Sequence, residues 1–129
     1  MITKIRPDIQ KSESLKKMAE ITLERLSKTK MEEYPSNTLV DYYDIIHKLM
    51  EALTLRTGIK IKGEGAHEEL IDYIAKTHNI DEQTRQFLQQ MRDYRNRISY
   101  EGFMVHKNYI VLNKDKISSI IALLSNKLK

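Results

Sequence analysis

The densest run of residues that could do chemistry is RDYRNRISYEG, residues 92–102. Arg92, Arg95 and Arg97 each offer a guanidinium group, whose paired N–H donors match a phosphate and whose charge persists at neutral pH. Since helical residues advance by about 100° each, Arg95 lies about 70° from the centre of a core stripe that includes Tyr94. A side chain at that boundary can rest its stem on the core while its head reaches a groove. We therefore predict that these three arginines bind phosphate.

A purely structural interpretation of the same arginines is also open. Glu101, Asp93 or an acid on a neighbouring helix could hold Arg95 in an ion pair, and Asn96 could be ordinary polar surface. The chain has 22 lysines and arginines against 18 acids, a net charge of +4. So mild an excess permits contact with RNA or nucleotides without establishing it.

The four histidines, His47, His67, His78 and His106, do not have metal-binding spacing. None is paired with another at i+3 or i+4 and no HExxH motif occurs, so we expect no metal site. His47 is predicted to be a half-buried polar residue that Asp44, one helical turn earlier, could orient. The chain has no cysteine, which excludes thiolate chemistry and disulfides, and no cofactor is expected.

Five helical segments must position these side chains. Apolar residues recur at helical spacing, and the chain has only two prolines and four glycines to interrupt them. The second segment is the most apolar, and its stripe is wide enough for a central bundle member. The predicted helices span residues 9–33, 36–57 and 67–78, then a fourth helix from its cap at Asp81 to about Tyr100, then a last helix capped by Asn113.

The connections between these helices are predicted to be short. Ser36 or Thr38 is expected to cap the second helix, and Gly58 to take the left-handed position after it. Residues 59–66 contain a lone GxG, which we interpret as a flexible loop because the Walker lysine and serine are absent. Residues 103–111 are predicted to be extended, with a small hairpin turn at positions 107 and 108.

These elements predict one domain over residues 1–129, an all-α, up-and-down antiparallel bundle of four to five helices. Residues 1–10 carry Lys4, Arg6 and Asp8 without an apolar core, so no signal peptide is expected. No window approaches the ~20 apolar residues of a membrane span. We expect a cytoplasmic protein that does not enter a membrane.

Two segments resemble the signature of HEPN domains. One is RNRISYEG, residues 95–102, which closes the fourth helix, and the other is DYYDIIHK, residues 41–48, in the second. The order of a tyrosine-rich second helix, a glycine-containing loop and a short helix beginning HEEL, residues 67–70, is similar too. The resemblance covers about residues 38–124, and it implies a four- or five-helix bundle that is usually a symmetric homodimer.

The resemblance also implies a function. HEPN proteins include metal-independent endoribonucleases, some of them toxins paired with nucleotidyltransferase-like antitoxins, and non-catalytic modules that bind nucleotides or RNA. Their active motif is an arginine followed four to six residues later by histidine, and Arg95 with Asn96 matches the first half. Tyr100 stands five residues after Arg95 where the family has histidine. A tyrosine of ordinary pKa, about 10, is a poor general base, although Tyr100 could still donate a hydrogen bond to phosphate.

Three hypotheses follow from these observations. The first is a module that binds RNA or a nucleotide phosphate, with a nucleotidyltransferase-like protein as a candidate partner. The second is an endoribonuclease that uses Arg95, Asn96 and either Tyr100 or His106, the latter only if its segment folds back. The third is a dimerisation scaffold in which the arginines form salt bridges.

Overall fold

Five helices and two very short strands make up the fold. The computed structural model describes residues 1–129. The helices are α1 (Ile9–Ser27), α2 (Pro35–Arg56), α3 (Ala66–Thr77), α4 (Glu82–Glu101) and α5 (Lys107–Lys127). Strands β1 (Ile2–Lys4) and β2 (Ile59–Ile61) pair antiparallel, with Ile2 opposite Ile61. The prediction of an all-α helical bundle is confirmed, and no helix is both long and apolar enough to cross a membrane.

Helix α2 is the centre of the bundle. Twelve of its 22 residues are buried, and it packs against all four other helices. Ile45 and Ile46 are both fully buried, and because neighbouring helical residues point about 100° apart, that requires cover on more than one side. The wide apolar stripe of the sequence therefore predicted the central position of α2 correctly.

The turn after α2 depends on a glycine. Gly58 has a φ of +83°, the left-handed region that glycine enters without a steric penalty. Its carbonyl oxygen accepts a hydrogen bond from Ile5 N–H at 2.8 Å, which holds the N-terminal segment against the turn. The predicted role of Gly58 is confirmed, but residues 59–61 form β2 and are not part of a loop.

The junction between α1 and α2 differs from its prediction. Helix α1 ends at Ser27, and a separate 3₁₀ turn (Met31–Glu33) leads into α2, which begins at Pro35. Neither predicted cap serves α2. Ser36 Oγ accepts a hydrogen bond from Val105 N–H at 3.0 Å, and Thr38 Oγ1 donates to the Met31 carbonyl oxygen at 2.8 Å. Proline suits the first helical turn because its missing N–H would have no partner there.

The extended segment predicted over residues 103–111 is wrong from Lys107 onward, and so is the hairpin turn at positions 107 and 108, whereas residues 103–106 do lie outside any helix. Helix α5 already begins at Lys107, and His106 is its N-cap, with Nδ1 accepting a hydrogen bond from Asn108 N–H at 3.1 Å. Asn113, the predicted cap, lies inside α5. Its side-chain amide donates to the Tyr109 carbonyl oxygen at 2.8 Å.

Packing explains why the β-prone residues near the start of α5 are helical. Ile110 is completely buried in a small cluster with Leu39 and Val105. It continues the buried stripe of Ile117 and Ile121 at helical spacing. Burial of that stripe outweighs the local preference of valine and tyrosine for strands. In contrast, the predicted cap of α4 is confirmed, because Asp81 Oδ1 accepts from Thr84 N–H at 2.7 Å.

Candidate functional site

Two adjoining cavities lie where α2, α3 and α4 meet. The first, which we call the arginine groove, has a volume of about 500 Å³ and is lined by residues 63–68 together with Arg92, Arg95, Asn96 and Tyr100. The second, which we call the imidazole pocket, has a volume of about 290 Å³ and is lined by His47, Glu51, Thr54, residues 61–63, Ala66, His67 and Leu70. Both cavities include Gly63, Ala66 and His67, so they adjoin each other, and we call the two together the cleft.

Arg95 is the arginine of this cleft that has no acidic partner. It is partly buried on α4, and its only hydrogen bond runs from Nη1 to Asn96 Oδ1 at 3.4 Å. None of the ion pairs in the molecule includes it, although Arg85 on the same helix is held by Asp72 and Glu82. The side chain of Arg95 is thus available to an anion in the groove.

Arg92 is the second arginine of the groove, and it is loosely held. Its Nη2 lies 3.9 Å from Glu68 Oε2, and its Nε donates to Gln89 Oε1 at 2.8 Å. Glu64 also lines the groove, so two acids face the two arginines. The groove is therefore not uniformly basic, and its positive charge is concentrated at Arg95.

The beginning of α3 adds backbone donors to the groove. Gly65 is the N-cap residue, with a φ of +73°, and no side chain caps the helix. The N–H of Ala66 bonds to the Gly63 carbonyl oxygen. The N–H groups of His67 and Glu68 have no acceptor in the chain. Free N–H groups at a helix N-terminus favour an anion, and here they lie in the same groove as Arg95.

Tyr43, His47 and His67 form a stack between the groove and the core. The two imidazole rings are 4.1 Å apart at their centroids and inclined by 24°, and each centroid is 6.1 Å from that of the Tyr43 ring. Tyr43 is completely buried, and its hydroxyl group lies 3.3 Å from His67 Nδ1. The core thereby fixes the position of an imidazole that lines both cavities.

Both imidazoles are uncharged at neutral pH. Burial, reinforced by the neighbouring His67, lowers the pKa of His47 to about 4. Burial and the adjacent Arg95 guanidinium lower the pKa of His67 as well. Burial raises the pKa of the Tyr43 hydroxyl to about 12, so that group keeps its proton. Arg95 is therefore the cation that dominates this end of the cleft.

The donor and acceptor roles in the contact between Tyr43 and His67 depend on which nitrogen of the imidazole carries the proton. The Tyr43 hydroxyl keeps its proton and has no other acceptor within the chain, so it can donate to His67 Nδ1. A neutral imidazole that accepts at Nδ1 has its proton on Nε2. In that tautomer His67 has a free Nε2–H donor, which suits a phosphate or hydroxyl oxygen.

The cleft includes two more of the predicted site residues and leaves three outside. Asn96 and Tyr100 line the groove with Arg95 even though α4 continues to Glu101. Arg97 does not line it, since its guanidinium lies 4.2 Å from the Phe103 ring centroid. Asp44 Oδ2 accepts from Lys48 Nζ at 2.6 Å and so does not orient His47. His106 is exposed and serves as the cap of α5.

Sequence reasoning missed Glu51 and His67, which line the cleft, and the contact that Tyr43 makes with His67. Tyr43, His47 and Glu51 are spaced four residues apart and so share one face of α2, a signal present in the sequence. Tyr43 was expected to be core, which is correct, but its hydroxyl also contacts His67. The approach of His67 to that face is a tertiary contact between α2 and α3, and no local spacing reveals it.

No group of three or more histidine, aspartate or glutamate side chains converges as metal ligands would. Comparison with models of known families, with curated proteins and with solved structures finds no match for this chain.

Proposed function

We propose that this protein is a HEPN-like module that binds the phosphate of RNA or of a nucleotide in the arginine groove. The observation that carries the proposal is the guanidinium of Arg95, which lines the groove without an acidic partner. The free N–H groups at the start of α3 belong to residues of the same groove, and His67 adds a donor in the tautomer that has its proton on Nε2. Asn96 orients Arg95 through the contact between their side chains.

The first experiment compares two arginines on the same helix. Arg95→Gln removes the guanidinium from the groove, and Arg97→Gln removes the same charge from a position over Phe103. We expect the first substitution to weaken binding of a nucleoside monophosphate by at least about tenfold, because a hydrogen bond to a charged group contributes roughly 1.5–3 kcal/mol. The second substitution should change the dissociation constant by less than about twofold.

The same two variants are measured by fluorescence anisotropy with labelled single-stranded RNA at several salt concentrations. Affinity for RNA should fall as salt rises, because phosphate contacts release counterions. If Arg95→Gln and Arg97→Gln bind both ligands as tightly as the unsubstituted protein does, the proposed site is wrong.

The geometry supports binding more than cleavage. Attack by a ribose 2′-hydroxyl needs a general base near the phosphate. Within the cleft, the Tyr43 hydroxyl lies 3.3 Å from His67 Nδ1, and Tyr100 is an exposed phenol. His106, the other candidate, is used as the cap of α5.

The endoribonuclease hypothesis has its own test. The protein is incubated with the labelled RNA in the presence of a chelator, and the products are separated on a denaturing gel. We expect intact RNA. Cleavage by the unsubstituted protein that is absent with Arg95→Gln would favour the endoribonuclease over the binding module.

Two partner hypotheses and a location accompany the proposal. Tyr100 and Met104, near the end of α4, are 79% and 80% exposed, and such exposed apolar side chains are compatible with a homodimer. Sedimentation at micromolar concentration distinguishes the homodimer from a monomer.

A nucleotidyltransferase-like partner and a cytoplasmic location stay predictions of the sequence. The scaffold hypothesis would be favoured by a dimer that binds neither RNA nor nucleotides.

A further inference from the structure

Glu51 provides the imidazole pocket with a carboxylate that has no partner. Its Oε1 lies 3.9 Å from His47 Nδ1, and that imidazole is uncharged at neutral pH. No side-chain or backbone N–H donates a hydrogen bond to the carboxylate, and only 35% of the Glu51 side chain is exposed. A half-buried carboxylate loses hydration without compensation, so it favours a ligand that brings N–H donors.

The rest of the imidazole pocket suits a flat ring. Ile61 and Leu70 provide apolar surface, and the imidazoles of His47 and His67 provide planar groups. Proteins hold unpaired nucleobases in this way, by stacking on histidine or aromatic rings and by hydrogen bonds to the base edge. The pocket and the arginine groove share Gly63, Ala66 and His67 in their linings, so a ligand that reaches from Glu51 to Arg95 would pass along His67.

Among the common bases, guanine matches a carboxylate best. Its Watson–Crick edge has two adjacent donors, N1–H and the N2 amino group, which can bond to both oxygens of one carboxylate. Adenine and cytosine place a ring-nitrogen acceptor beside their amino group, and uracil places carbonyl oxygens on both sides of its single N–H. Each of these would set an acceptor against the negative carboxylate, which is unfavourable.

From this juxtaposition we infer that the imidazole pocket binds a guanine base through Glu51 while the arginine groove holds the attached phosphate. The inference rests on the proposed function, because Arg95 anchors the phosphate in both. The ligand is a guanosine phosphate unit, either a free nucleotide or a guanosine within single-stranded RNA.

The experiment measures dissociation constants by calorimetry for GMP, IMP, AMP, UMP, CMP and ribose 5-phosphate. We expect GMP to bind about tenfold more tightly than AMP, UMP or CMP, in line with the discrimination that a bidentate contact to a base provides. IMP, which keeps N1–H but lacks the N2 amino group, should fall between GMP and AMP. Equal affinity for GMP, IMP and AMP in the unsubstituted protein would overturn the guanine pocket, whatever any variant does.

Two substitutions on α2 then assign the preference. Glu51→Gln should abolish the preference for GMP and leave the affinity for ribose 5-phosphate unchanged. The matched control, Asp44→Asn, alters a carboxylate that is paired with Lys48 outside the cleft, and it should keep the preference. A preference for GMP that survives Glu51→Gln would overturn the role of this carboxylate.

The two proposals fail in different ways. If every ligand binds through Arg95 but without preference, the guanine pocket is wrong and phosphate binding stands. If no ligand binds in a manner that depends on Arg95, phosphate binding itself is wrong. A single-stranded RNA pentamer with one guanosine, compared with GMP and with an all-adenosine pentamer, assigns the source. If the guanosine pentamer binds more tightly than GMP does, the result supports RNA as the ligand. If GMP binds as tightly as the guanosine pentamer does, the result supports a free nucleotide.

Discussion

At the scale of single residues, the charge of the arginine groove is a balance between neighbours. Arg95 is unpaired, whereas Arg92 is partly neutralised by Glu68 at 3.9 Å. Glu68 is well exposed, so water and salt weaken its attraction to Arg92. The same carboxylate would repel a bound phosphate. Glu68 therefore limits how tightly the groove can hold an anion.

Glu68→Gln should strengthen phosphate binding. The substitution removes a negative charge from the groove and releases Arg92, and exposed charge pairs of this kind contribute about 0.2–1 kcal/mol. We expect a roughly two- to fivefold lower dissociation constant for a nucleoside monophosphate at low salt, and a smaller gain at high salt. Calorimetry at two salt concentrations measures the effect.

The control for this substitution is Glu24→Gln. Glu24 is an exposed acid on α1, loosely paired with Lys28 at 3.5 Å and outside the cleft. Glu24→Gln changes the net charge of the protein by the same amount as Glu68→Gln does, and it should leave the affinity nearly unchanged. Weaker binding by Glu68→Gln would mean that Glu68 is a contact of the ligand and not a brake on it.

At the scale of elements, the cleft depends on the turn that follows α2. Gly58 directs the chain from α2 into β2, and Ile61 at the end of β2 lines the imidazole pocket. A Cβ atom at Gly58 would lie 2.6 Å from the Ile5 carbonyl oxygen. This glycine therefore meets two demands, a left-handed backbone and close contact with the N-terminal segment.

Gly58→Ala should destabilise the protein more than Gly102→Ala does. Both glycines have positive φ, but a Cβ atom at Gly102 would meet nothing within 4 Å. Gly102→Ala should lower the free energy of unfolding by about 1–2 kcal/mol, the left-handed penalty alone. Gly58→Ala adds a steric clash and should exceed that value. Urea denaturation measures both, and equal losses would show that the contact with Ile5 costs nothing.

At the scale of the whole molecule, the candidate site and the hydrophobic core share one helix. Tyr43 belongs to the main core cluster, and its neighbours His47 and Glu51 on the same face of α2 line the imidazole pocket. Protonation of the pocket therefore acts on the folding equilibrium of the entire bundle. This coupling gives the site a signature in the pH dependence of stability.

The stability of the protein should fall on acidification from about pH 6.5 to pH 4. His47 has a pKa of about 4 in the folded state, against about 6.5 in an unfolded chain. Between these values the unfolded state binds more protons than the folded state, so the free energy of unfolding increases with pH. The contribution of His47 reaches its full value above about pH 6.5. The contribution of His47 lost by pH 4 is on the order of 3 kcal/mol.

His47→Phe isolates that contribution, because phenylalanine keeps a planar ring in the stack and does not titrate. Urea denaturation of both proteins between pH 4 and pH 8 is the measurement. The difference in unfolding free energy between the unsubstituted protein and His47→Phe should change by about 3 kcal/mol between pH 7 and pH 4. A difference that is constant with pH would mean that His47 is equally protonated in the folded and unfolded states.

The sequence by itself determined the helical bundle, the central position of α2, the cap at Asp81 and the turn at Gly58. These depend on periodicity and on contacts between residues near one another in the chain, which spacing encodes directly. It also placed Arg95, Asn96 and Tyr100 in one helical segment, and the three residues line the same groove. The start of α5 was predicted wrongly, since β-prone residues there obscured a buried helical stripe that begins at Ile110.

Only the tertiary structure decided which of these side chains meet. The stack of His47 on His67 joins residues 20 positions apart, and it forms because α3 packs on α2. The separation of Arg97 from the groove and the commitment of Asp44 to Lys48 are likewise outcomes of packing. Local spacing indicates the face of a helix on which a residue lies. The element that packs against that face depends on how the helices are arranged around the core.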